Sequence, residues 1–155
     1  MCIRDSLNSE DSLAIEEFNK TFEPGIAFDK RKFSEPFYMV LKSGDQPLTC
    51  PIYILMNEQS FSAASIFASV FKGLPNVKLV GVTTDGSSGR SRKIFLKNSN
   101  IRIRISTMIS FQRDGRPFDG YGTEPDIIIP RDEAQVMGLR DTQLEKLVEI
   151  IEKQN

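Results

Sequence analysis

The chain has 155 residues, 39% of them apolar and 26% charged, with a formal net charge of −1. That is enough for one domain with its own core, and the near-neutral balance supplies no global field toward nucleic acid or anionic lipid. Histidine is absent and cysteine occurs only at Cys2 and Cys50, which argues against a disulfide framework and a zinc site.

The first six residues, MCIRDS, read as the translation of a transposon-end sequencing adapter. Residues 1–6 are therefore set aside as a library scar. Residues 7–155 are expected to be a C-terminal fragment of a protein whose reading frame starts further upstream. On that expectation the compartment is not legible from a missing signal, and Cys50 is the only native cysteine.

In chain order, residues 7–22 place Leu13, Ile15, Phe18 and Phe22 among polar residues, as in a helix. Residues 22–37, with Pro24, Gly25 and Pro36, read as irregular connection, and 37–42 as a short strand before the turn Ser43-Gly44-Asp45. PIYILM, 51–56, is apolar on both faces, which fits a strand covered on both sides. Ala63, Ile66, Phe67, Val70 and Phe71 then follow helical spacing, ended by Gly73 and Pro75. Residues 77–82 predict a second buried strand, and strand–helix–strand predicts a parallel crossover.

The pattern then alternates. RKIFLKNSNIRIRIST predicts an antiparallel hairpin, Ile101, Ile103 and Ile105 on one face, Arg102 and Arg104 on the wet one. A glycine-rich loop and a short strand at 126–129 follow. Leu144, Leu147, Val148 and Ile151 mark a last helix, with Thr142 and Glu145 at capping-box spacing. That helix is expected to dock on the sheet or on a second subunit. Phe67, Phe71 and Phe95 are expected in the core. No apolar run is long enough to span a bilayer.

NEQSFSAAS, 57–65, lies where the buried strand turns into the helix. The pattern leaves two readings open. Ser60 or Ser62 caps the helix. Otherwise Ser62 is a nucleophile, with the Ala63 N–H at the helix start as oxyanion donor.

NEQSFSAASIFA resembles the nucleophile segment of the tail-specific, or C-terminal-processing, serine peptidases, a family that includes the tricorn core. Asn57 then matches the family's asparagine, Ser60 its first hydroxyl and Ser62 its nucleophile. Ser65 stands where a glutamate is common. KLVGVTTDGSSG resembles the family's threonine pair and glycine-rich turn, with Ser87 at the place of the lysine base used by one branch. DGRPFDGYGTEPDIII resembles the G-x-G-x-x-PD signature, with Asp119 at the acid position of the histidine-using, tricorn-like branch. Lys93 is nearby but reads as part of a solvated cationic edge.

The resemblance implies an α/β fold of the ClpP/crotonase-like kind, a mixed sheet with flanking helices, incomplete at its N-terminal side. It implies a serine-type endopeptidase with catalytic residues Ser62, Ala63 and Asp119, no cofactor and no metal. Because the chain has no histidine, the base and a second oxyanion donor are expected upstream, and the fragment is expected to be inactive alone. The expected partner is a peptide or protein substrate, not nucleic acid, with a homo-oligomer left open. Family members act in the bacterial envelope or outside the cell, often beside a PDZ-like module. The alternatives are a non-catalytic ligand- or peptide-binding relative, and, more distantly, an acyl-CoA enzyme of the crotonase type. The GSSG turn, 86–89, lacks the lysine and spacing of a phosphate loop.

Overall fold

The computed structural model describes residues 9–40, 44–46 and 48–153. The elements are α1 (Ser9–Thr21), β1 (Ile52–Met56), α2 (Ala63–Phe71), β2 (Val77–Gly81), β3 (Ser91–Leu96), β4 (Ile101–Ser106), β5 (Ile127–Ile128), α3 (Glu133–Val136) and α4 (Thr142–Glu152). Strands β1, β2 and β5 form a parallel sheet in the order β1-β2-β5, and β3 and β4 a separate antiparallel pair. The fold is α/β, as the sequence predicts, but the two kinds of strand pairing stay in separate sheets. Residues 37–40 form no strand, and 1–8 and 41–43, to which the scar and the rest of that expected strand belong, lie outside the described residues.

Alternation along β1 explains why PIYILM is apolar throughout. Ile52, Ile54 and Met56 face α2 and pack with Ala68, Phe71, Val77 and Leu79. Tyr53 and Leu55 face the other way and pack with Val80, Ile129, Leu147 and Ile151. Two helices thus sandwich the parallel sheet, a layering that removes both apolar faces from water. The last helix docks on the sheet.

The helical stripe on α2 is rotated from its expected position. The buried positions are Ser65 and Ala68, while Phe67 is 52% exposed and stacks on Phe71 from outside, 4.6 Å between centroids. Small side chains let the helix approach the sheet closely, and the Ser65 hydrogen bond described below fixes the rotation. Phe95 is likewise exposed, so of the three expected core phenylalanines only Phe71 packs against the core. At α4 the cap is Asp141, whose carboxylate accepts the Leu144 N–H, and not the expected Thr142. Thr142 Oγ instead donates to Gln135 Oε1, and Glu145 pairs with Arg140. The antiparallel hairpin forms around Asn98–Asn100 as predicted, yet its aliphatic face is also open to solvent, with Ile101 and Ile105 both exposed.

Candidate active site

The site begins at the corner between β1 and α2. Ser60 N–H donates to Asn57 O and Asn57 N–H to Ser60 Oγ (3.1 Å), closing a tight turn after Met56. Asn57 Oδ1 accepts the Gln59 N–H, an Asx turn that gives Asn57 a structural use. The chain then passes through Ser62 at φ +55, ψ −124. That backbone conformation is strained for any residue with a Cβ.

Ser62 occupies the N-cap position of α2, yet its hydroxyl makes no capping hydrogen bond and the residue is exposed. The carbonyl of Ser62 accepts from Ile66 N–H in the first helical turn. The next N–H, of Ala63, has no backbone acceptor among the described residues and sits at the positive end of the helix. A free hydroxyl beside an unpaired N–H at a helix start can offer a nucleophile and an oxyanion donor together. Phe61, 64% exposed, stands beside it.

Three contacts lace this corner to the loop after β2. Ser62 N–H donates to Ser87 O (2.8 Å), Asp85 N–H donates to Ser60 O, and Ser65 Oγ donates to Thr84 Oγ1 (2.7 Å). The Ser65 pair is buried, and Thr84 Oγ1 also accepts the Thr123 N–H, tying in a third segment. The same loop then reaches Asp119. Ser88 Oγ donates to Asp119 Oδ1 (2.6 Å) and lies 3.3 Å from Ser110 Oγ. Asp119 Oδ2 is buried with no partner among the described residues, a carboxylate oxygen short of a donor.

Two glycines permit this crossing. Gly86 and Gly122 both have positive φ, and a Cβ on Gly122 would stand 2.1 Å from Thr84 O. Gly120 N–H donates to Gly86 O, and Gln112 Nε2 to Gly122 O. The glycines of the GYGTEPD stretch are therefore where one loop passes backbone to backbone against another. In the same stretch Asp126 is structural. Its Oδ2 accepts the Leu79 N–H, its own N–H donates to Leu79 O, and Oδ1 pairs with Lys72 (2.5 Å). Burial pushes the Asp126 carboxyl up, but the hydrogen bonds from Lys72 and Leu79 and the charges of Lys72 and Lys78 outweigh it and hold the group below its usual range.

Of the predicted residues, Ser62 and Ala63 are consecutive at the corner, and Asp119 is linked to them through the adjacent residues Ser87 and Ser88. Sequence reasoning missed Ser88 and Thr84 as the connectors. The threonine pair and GSSG turn were the only signal, and they carry no address for a partner. It also missed Arg131, which pairs with Glu58 just after β1 and leaves a buried Nε without an acceptor. Lys93 lies exposed on β3, among the hairpin's other cations. A cleft between α1 and Arg113–Asp114 includes none of Ser62, Ser88 or Asp119.

A candidate peptidase from Parabacteroides merdae ATCC 43184 is similar in structure, with a TM-score of 0.61 and 25% identity over 76% of this chain. The chain spans only 37% of that protein. Mature CPAF matches at 29% identity over 50% of this chain and 15% of its own, with a TM-score of 0.44. The tricorn protease matches at 20% identity over 93% of this chain and 14% of its own, with a TM-score of 0.46. No curated protein matches the chain. The model of peptidase family S41 matches residues 11–129, some three quarters of the sequence, and the chain belongs to peptidase family S41.

Proposed function

We propose that the chain is the nucleophile-bearing, C-terminal part of a serine-type endopeptidase domain. The observation that carries this reading is Ser62, exposed at positive φ on a strand-to-helix corner, with no capping bond and a hydrogen-bonded route to Asp119. In this reading Ser62 Oγ adds to a peptide carbonyl and its proton passes to a base. The oxyanion is held by the Ala63 N–H. Collapse of the adduct expels the amine, which takes the proton from the base, and leaves an acyl-enzyme that water then hydrolyses. Asp119, with one buried oxygen unsatisfied, orients the base or receives a substrate amine.

The base is supplied from outside these 155 residues, because histidine is absent and Ser87 stands at the place of the lysine used by related enzymes. The isolated chain is accordingly inert or nearly so. Envelope or extracellular action belongs to the same proposal and rests on family likeness; among the described residues no helix is long and apolar enough to cross a membrane.

The test is covalent labelling. A polypeptide extended upstream far enough to include a histidine is treated with a fluorophosphonate probe. Label is expected on the parent, at background on Ser62→Ala and on the 155-residue chain. Label that survives Ser62→Ala overturns the assignment. An upstream region with no histidine, together with no label, favours the non-catalytic, ligand-binding relative; the serines at positions 65 and 87 are the observation that keeps that reading alive.

A further inference from the structure

The hairpin β3–β4 is charged unlike the rest of the chain. Between residues 90 and 106 there are six cations, Arg90, Arg92, Lys93, Lys97, Arg102 and Arg104, and no acid, in a sequence of net charge −1. Among the described residues none of the six is in an ion pair. Arg104 donates to Ser91 Oγ, and Arg102 lies over the Phe95 ring at 5.1 Å. The register separates two faces. Ile94 with Ile103 and Leu96 with Ile101 make an aliphatic ladder, while Lys93 with Arg104 and Phe95 with Arg102 share the opposite side. Both faces are open: Ile101 is 54% exposed on the aliphatic one and Phe95 55% on the other. Among the described residues each strand also keeps one unpaired edge.

The root of this hairpin lies at the site. Thr107 N–H and Oγ1 both donate to Arg90 O, closing the base of the ribbon. Two and three residues earlier, Ser88 and Ser87 bond to Asp119 and Ser62. A lone two-stranded ribbon is marginal in water, and an open edge with unpaired backbone groups is a template for a further strand.

We propose that β3–β4 is a docking arm for an extended polypeptide segment in which acidic and aliphatic residues alternate. This rests on the peptidase reading, and it names the substrate class of that same site. A strand added to the ribbon's edge sends alternate side chains to opposite faces. Its aliphatic residues meet the Ile94–Ile103 ladder while its carboxylates meet Lys93, Arg102 and Arg104. A flat anionic bilayer fits less well, because it would cover one face and leave the other face's charge turned away. A second copy of the hairpin brings six more positive charges to the contact and is repelled.

The arm is tested on the 155-residue chain by fluorescence anisotropy with a labelled ten-residue peptide of alternating glutamate and valine. Binding is expected, weakening as salt rises, with no binding of the lysine–valine counterpart. The double variant Arg102→Glu, Arg104→Glu, checked for an unchanged melting curve, is expected to bind roughly tenfold more weakly or worse, the size of two exposed pairs turned into repulsions. Equal binding of both peptides, or no change in the double variant, overturns the proposal. So does binding to phosphatidylglycerol vesicles without binding of the peptide, or salt-sensitive self-association that competes with the peptide. Intact serine labelling with no peptide binding sinks the arm alone. Peptide binding with no Ser62-dependent labelling in the extended polypeptide sinks the peptidase reading alone.

Discussion

Replacing Ser62 by alanine and, separately, by glycine isolates the strain at the corner. Both changes remove the hydroxyl, but only alanine keeps a Cβ at φ +55, ψ −124. A residue with a side chain held in such a region costs about 1–3 kcal/mol. Glycine avoids that cost but adds about 0.5–1 kcal/mol of entropy to the unfolded chain. The difference leaves Ser62→Gly more stable than Ser62→Ala by about 1 kcal/mol, and by up to ~2 kcal/mol if the strain lies at the upper end. For a chain of this length each kcal/mol moves the melting temperature by about 2–4 °C. Because the Ser62 hydroxyl caps nothing, Ser62→Ala itself is expected within about 0.5 kcal/mol of the parent. Urea unfolding followed by far-UV circular dichroism reads both differences, with unchanged slopes confirming a comparable unfolded state. If alanine costs a full capping bond, about 1 kcal/mol or more, the hydroxyl is holding the helix and is not presented to a substrate. If glycine is no more stable than alanine, the corner is not strained.

Gly122→Ala places a Cβ 2.1 Å from Thr84 O at positive φ, and is expected to cost about 2–4 kcal/mol in urea unfolding, from overlap and left-handed strain together. Leu147→Ala opens a cavity where α4 meets Val80 and Ile129, and should cost about 2–5 kcal/mol in the same assay. Asp126→Asn removes the Lys72 pair and is expected to lose about 1–2 kcal/mol at pH 7. Since the Asp126 carboxyl is depressed in the folded state, its contribution is fully present above the unfolded value near ~4 and fades as pH falls through the lower folded value. Parent and variant should therefore converge in stability once the pH is below the folded value, where both side chains are neutral; a gap that persists there assigns the loss to packing and not to charge.

The parts of the fold that were legible in the sequence are those with a strong period. PIYILM is apolar at every position because two helices cover it, and the alternation in IRIRI gives which residues of β4 share a face. The rotation of α2 was not legible, because periodicity counts large apolar residues and the sheet-facing positions are a serine and an alanine. Likewise the cap of α4 shifted by one residue, since Asp141 and Thr142 are both good caps and only the Gln135 amide, which engages Thr142, decides between them. At the candidate site the corner was legible from NEQSFSAAS. Its wiring was not: Ser62 reaches Asp119 through residues 87 and 88, a contact set by where two loops cross. Local sequence contains no term for that crossing except the glycines that permit it.

The departure at Ser65 follows from the same crossing. This position is fully buried, and its hydroxyl donates to Thr84 Oγ1, which in turn accepts the Thr123 N–H. A carboxylate here would need charged or multiple donors to offset its desolvation, and Thr84 offers a single neutral hydroxyl proton. A neutral serine–threonine pair satisfies both groups without that cost, and it joins the helix behind Ser62 to the two loops that carry Ser87 and Asp119. The strained backbone at Ser62 is thus held from two sides, by its own N–H on Ser87 and by a hydroxyl pair one helical turn behind it. Strain of that kind persists only where the surroundings over-determine it. A serine at position 65 thus leaves the backbone at Ser62 held from both sides.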